Sequence, residues 1–133
     1  MYIIMKKLTY ILSFLLLLTA ASCKKYPYDS DGRLITTRSE SFVTFFDLLG
    51  PDNRSVLVGA ASIDTTAHTV TAKAKFGTNL KHVKPYCSLI TDALLQPAMG
   101  EWIDFTQPRE YTVVSGDRQV KNTYTFTVTL EDE

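Results

Sequence analysis

This chain has few of the side chains on which catalytic, metal or cofactor chemistry depends. It holds two histidines, His68 and His82, and two cysteines, Cys23 and Cys87. No spacing among them is typical of metal ligands, so the sequence offers no zinc-type site. The six glycines fall in turns or bulges and form no phosphate-cradling loop, and no Ser/His/Asp arrangement is present. The sequence therefore calls for no cofactor. Basic and acidic side chains balance at 14 each, and taking away Lys6 and Lys7 leaves 12 basic against 14 acidic. With no basic run interleaved with aromatics, nucleic acid is excluded as a partner.

The chain does have a greasy start. Lys6 and Lys7 precede an apolar stretch over 8–21, then Ala20, Ala21 and Ser22, then Cys23. A spanning helix needs about 20 apolar residues, so this run has the length of an export signal. Small residues before a cysteine are the mark of lipoprotein processing, although Ala20 stands where that pattern usually has leucine. Met5-Lys6-Lys7 is the more usual start of such a signal. The expectation is a cleaved lipoprotein signal peptide over 1–22, with a lipid anchor on Cys23 tying the protein to the membrane. Two or more acyl chains hold a protein stably where one does not. An acylated Cys23 leaves Cys87 unpaired, which excludes a disulfide scaffold and makes Cys87 a small buried hydrophobe.

Residues 23–40 are polar, contain Pro27 and Gly32, and read as a flexible tether. Fully extended, its last 17 residues would reach about 55 Å. From Ser41 to the end the signals are those of strands. An apolar strand over 42–49 stops at Gly50-Pro51-Asp52-Asn53. A second is expected over 56–63, followed by a turn at 64–67. In 68–76, Val70, Ala72 and Ala74 alternate with Thr69, Thr71, Lys73 and Lys75, which is the pattern of a half-buried strand. One helical turn is expected near 80–83. Extended segments follow at 85–90, with Cys87 and Leu89 inward, and at 93–95. The strand beginning near Tyr111 precedes a turn at 116–118. The clearest strand runs over 119–130, with Tyr124, Phe126, Val128 and Leu130 inward and four threonines outward. The fold class is all-β: a single β-sandwich of about seven strands over 41–133.

The segments Gly59-Ala60-Ala61-Ser62-Ile63-Asp64, His68-Thr69-Val70-Thr71-Ala72, Gly77-Thr78-Asn79-Leu80, Asp104-Phe105-Thr106, Tyr111-Thr112-Val113-Val114-Ser115-Gly116-Asp117 and Lys121-Asn122-Thr123-Tyr124-Thr125-Phe126-Thr127-Val128 occur in that order. Together they resemble the immunoglobulin-like and cadherin-like β-sandwich domains of Bacteroidota lipoproteins. A departure lies at Arg118 and Gln119, where that family often has glycine. The resemblance implies an immunoglobulin-like fold, an outer-membrane lipoprotein, and association with glycan uptake or adhesion. It carries no catalytic residues, and a fold alone does not supply a function. Lys24 and Lys25 stand where resembling surface-exported lipoproteins have acids, so the periplasmic and cell-surface faces both stay open.

For a site, the candidates are Trp102, Tyr86 and Glu101. Trp102 follows Gly100 in an expected loop, with Tyr86 and Tyr111 in neighbouring strands. An exposed ring stacks on the apolar face of a sugar, and Glu101 or Gln107 would bond its hydroxyls. The competing reading, and the leading one, has Trp102 closing one end of the core. The carboxylates Asp92, Glu101, Asp104 and Glu110 are scattered and do not make a glycosidase pair. The function expected is a non-enzymatic binding or accessory module, for a glycan or an envelope protein. The alternative is a spacer or assembly subunit that pairs through strand edges.

Overall fold

The computed structural model describes residues 1–20 and 27–132, with backbone alone over 16–20. The chain divides into two units, Met1–Leu34 and Ile35–Glu133. In the first, helix α1 (Tyr2–Ala20) covers most of the expected export signal. Among the described residues no helix is long and apolar enough to cross a membrane. The expected cleavage point and Cys23 fall in 21–26, outside the described residues. Beyond them the chain makes a tight turn. Tyr28 and Leu34 form an antiparallel bridge. Asp29 Oδ1 accepts the Asp31 and Arg33 amides at 3.0 and 2.8 Å, and Gly32 takes φ +76° at the tip. A short aspartate side chain closing a turn on its own backbone is the physical basis of this loop.

The second unit is an all-β sandwich of seven strands, as the alternation predicts. They are β1 (Val43–Leu49), β2 (Ser62–Asp64), β3 (Thr69–Ala74), β4 (Lys84–Leu89), β5 (Leu94–Gln96), β6 (Arg109–Val114) and β7 (Lys121–Leu130). One sheet is the pair β1-β4, and the other has the order β2-β3-β7-β6-β5. All pairings are antiparallel except β3 with β7.

The core lies between the sheets. Val70, Ala72 and Ala74 from β3 and Tyr124, Phe126 and Val128 from β7 are buried, matching the expected faces. A ring contact joins the two sheets, Phe126 meeting Phe46 of β1 edge-on at 5.1 Å, and within its own sheet Phe126 meets Tyr111 of β6 edge-on at 5.3 Å. Phe105, from the loop before β6, adds another buried ring 6.1 Å from Phe46. Leu130 was expected inward and is 46% exposed. It pairs with Ala74 at the last register position of the β3–β7 ladder, where the core ends.

The expected strand over 56–63 does not form as one piece. Val56 N donates to Leu48 O of β1 (2.9 Å), while Val56 O accepts from Lys75 N beyond β3 (2.8 Å). The chain thus crosses from one sheet to the other at Val56. Gly59 then takes φ +73°, a left-handed conformation that ends the extended run, and β2 begins only at Ser62.

Residues 35–40, read as tether, are fastened to the sandwich. Thr36 N donates to Gly116 O (2.9 Å), and Asp117 N donates to Arg38 O (2.8 Å). Arg38 also pairs with Asp92 at 3.4 Å. Next in sequence, the buried Ser41 hydroxyl donates to Val113 O at 2.6 Å, and Asn122 Nδ2 donates to Ser41 O at 2.9 Å. Gly116 lies buried under this strap, where a Cβ would overlap Thr36 Oγ1 and come within 2.9 Å of Asp92 Cβ.

Phe126→Ala is expected to lower unfolding stability by about 3–5 kcal/mol in a urea titration, because the cavity opens where both sheets meet. Gly116→Ala is expected to cost about 1–3 kcal/mol by overpacking, with residues 35–40 becoming the first to exchange their amides in deuterium. Unchanged protection there would show that the strap tolerates a side chain at Gly116.

Candidate functional site

The two-stranded sheet has a patterned outer face. Along β4, Val83 just before it and Pro85 within it are fully buried, and Cys87 is half-buried against the core. Period-two alternation then sends His82, Lys84, Tyr86 and Ser88 outward. On β1 the register sets Phe45 opposite Ser88, Asp47 opposite Tyr86 and Leu49 opposite Lys84. A register shift between Val43 and Phe45 inserts an extra residue there. Such a bulge re-aims side chains, and Phe45 is 47% exposed although Val43, two residues before it, is buried.

A third segment joins this face. Val83 and Ile103 exchange backbone bonds, Val83 N to Ile103 O at 3.1 Å and Ile103 N to Val83 O at 2.8 Å. That antiparallel bridge brings Trp102 alongside Lys84. The indole stacks on the His82 imidazole at 4.7 Å and 9°, and Lys84 Nζ lies 6.0 Å from the ring centroid. Tyr86 meets Phe45 edge-on at 6.2 Å and its hydroxyl lies 3.5 Å from Ser88 Oγ.

Two of the sequence candidates, Trp102 and Tyr86, therefore share one face, and Glu101 is exposed in the loop just before Trp102. Trp102 is 37% exposed and Tyr86 55%. The indole is braced on one side by His82 and is not among the residues of the buried cluster. Tyr111, in contrast, is buried in the core. Phe45, His82 and Lys84 complete the face and were missed. Extending the β4 alternation back to His82 would have found two of them.

β5 ends before Pro97 and leaves the start of β6 without a β5 partner, since pairing begins at Gln96–Thr112. A groove of about 610 Å³ opens there, lined by Pro97, Gln107, Pro108, Arg109, Asp104 and Glu110 among others. It gathers two of the scattered carboxylates. The Asp104 carboxylate accepts from Thr106 Oγ1 (2.6 Å) and Thr106 N (2.8 Å), which hold it below the usual carboxylate range. A glycosidase general acid needs the opposite shift. Arg109 Nε donates to Asp104 O at 2.7 Å. Among the described residues no group of three or more His, Cys, Asp and Glu is placed to hold a metal.

The family model described as "SGBP, N-terminal" matches residues 54–128. The chain belongs to that family, the N-terminal domain of glycan-binding proteins of Bacteroidetes. The match takes in β2 to β6, most of β7, and His82, Lys84, Tyr86 and Trp102 of the outer face, leaving Phe45 outside. No curated protein sequence matches the chain. Among solved structures, it is similar to a candidate glycoside hydrolase from Bacteroides thetaiotaomicron, with TM-score 0.62 and 24% identity over 77% of this chain. It is also similar to a candidate secreted protein from Bacteroides fragilis, with TM-score 0.56 and 18% identity over 71% of this chain and 98% of that one. A DUF4623 family protein from Bacteroides eggerthii aligns at TM-score 0.54 and 14% identity, over 71% of this chain and 22% of that one. At these identities the likeness is one of fold. The chain spans 28% of the first neighbour's length.

Cys87 is a free thiol, and burial pushes it up to about 11. Its thiolate fraction at pH 8 is then of order one in a thousand. Iodoacetamide labelling of Cys87 is expected to be slow in the native protein and fast in urea; equal rates would show an accessible, reactive thiol.

Proposed function

We propose that the protein is a non-catalytic glycan-binding accessory module of the bacterial envelope, and that the outer face of β1 and β4 is its binding surface. The observation that carries this reading is the convergence of three exposed rings, Phe45, Tyr86 and Trp102, on one side of a small sheet. Exposed aromatic area is uncommon on a soluble domain without a partner, and ring faces suit the apolar faces of sugars. Ser88, Lys84 and Glu101 lie beside the rings as hydrogen-bonding groups for hydroxyls. Membership of the SGBP N-terminal family points to the same ligand class. The sandwich is taken as immunoglobulin-like, and an acyl group on Cys23 is taken to hold it at the outer membrane.

A second reading has its own support. The chain aligns with 28% and 22% of two longer neighbours, so this fold also occurs as one piece of larger chains. A spacer or assembly subunit fits that use.

A glycan array probed with the full-length chain in detergent is expected to show polysaccharide binding. Tyr86→Ala and Trp102→Ala should each weaken it by about fivefold to thirtyfold, the size of about 1–2 kcal/mol per lost ring contact. Thr123→Ala, on the other sheet, should leave it unchanged. Binding indifferent to both ring substitutions would remove the proposed face. No binding, together with a stoichiometric envelope partner in crosslinking, would favour the spacer.

A further inference from the structure

Lys84 sits between the rings of the outer face, and its charge exceeds what bonding a sugar hydroxyl requires. It is flanked along β4 by Tyr86, two residues and about 7 Å further on the same face, and across the Val83–Ile103 bridge by Trp102. Its side chain is half-buried, and its ammonium lies over the indole 6.0 Å from the centroid. Both salt bridges found among the described residues belong to Arg38 and neither involves Lys84.

Among the described residues no acid lies within ion-pair distance of Lys84. Asp47, on the same face, accepts from Leu48 N at 2.8 Å and from the Ser55 hydroxyl. Asp104 is closed on Thr106 and lies in the field of Lys81 and Arg109. Glu101 is exposed in the loop before Trp102. His82, the other basic group of the face, is stacked against the indole. The Lys84 ammonium thus stands among the rings with no carboxylate in ion-pair contact. A bound anion would supply that partner, and charge-assisted hydrogen bonds are roughly twice as strong as neutral ones.

We propose that this face selects acidic polysaccharides, with Lys84 taking a ring carboxylate or sulfate while Tyr86 and Trp102 hold the flanking sugar faces. The proposal rests on the glycan-binding reading above and adds to it the charge of the ligand.

The test uses the full-length chain in detergent and matched polymer pairs that differ in charge: polygalacturonate with its methyl ester, and chondroitin sulfate with its desulfated form. At least one acidic member is expected to bind about fivefold to tenfold more tightly than its uncharged or less charged counterpart. Which pair shows the preference distinguishes carboxylate from sulfate. The preference should shrink as sodium chloride is raised. Lys84→Gln, which keeps a comparable stem, should abolish it, and Lys84→Arg should retain it. Circular dichroism of the variants checks that the sheet is intact. Equal binding of the members of each pair, or a preference that survives Lys84→Gln in a folded protein, overturns the proposal and leaves the glycan-binding reading standing. Binding to none of these polymers and to no glycan on the array overturns both.

Discussion

The contact of Phe126 with Phe46 is the interaction on which the rest of the domain depends. Phe46 is the ring by which a sheet of only two strands is held to a sheet of five. An isolated pair of strands is marginal in water at best, so β1 and β4 exist as a sheet because their inner residues are packed. Edge-on ring geometry adds about 0.5–1.5 kcal/mol to the burial of such a pair. With Cys87 a free thiol, packing does this work without a crosslink from that residue.

The outer face inherits its order from the inner one. Burial of Val83 and Pro85 fixes which way β4 faces, and period-two alternation then dictates that His82, Lys84, Tyr86 and Ser88 are displayed. A slip of one residue would exchange the two sets and would place a lysine and a tyrosine in the core. The same core that stabilises the sandwich therefore positions the surface proposed for binding, and the two properties cannot be varied independently along β4.

Sequence pattern made part of this visible and hid the rest for identifiable reasons. β3 and β7 were legible because each alternates strictly, with one face buried and one polar. The run over 56–63 was misleading: its apolar content is continuous, and nothing local marks Val56 as the residue whose amide and carbonyl bond different sheets. Phe45 was hidden in a similar run, where a bulge reverses the side that its neighbours would imply. Tyr86 and Trp102 were legible as candidate rings, but the leading reading put Trp102 at one end of the core, and it is 37% exposed. Their common face was not legible, because it depends on the bridge between Val83 and Ile103, a pairing between segments 20 residues apart. Lys84 acquires its place between the rings only through that pairing.

The small turn closed by Asp29 has a mechanical consequence. Drawn out, residues 28–34 would add about 20 Å to the chain's contour. Bridged at Tyr28 and Leu34, their ends are held one strand spacing apart, about 5 Å. Residues 35–40 are likewise strapped to the sandwich, so neither stretch keeps its full contour. A few hydrogen bonds thus fold up a polar stretch whose composition alone reads as a free tether.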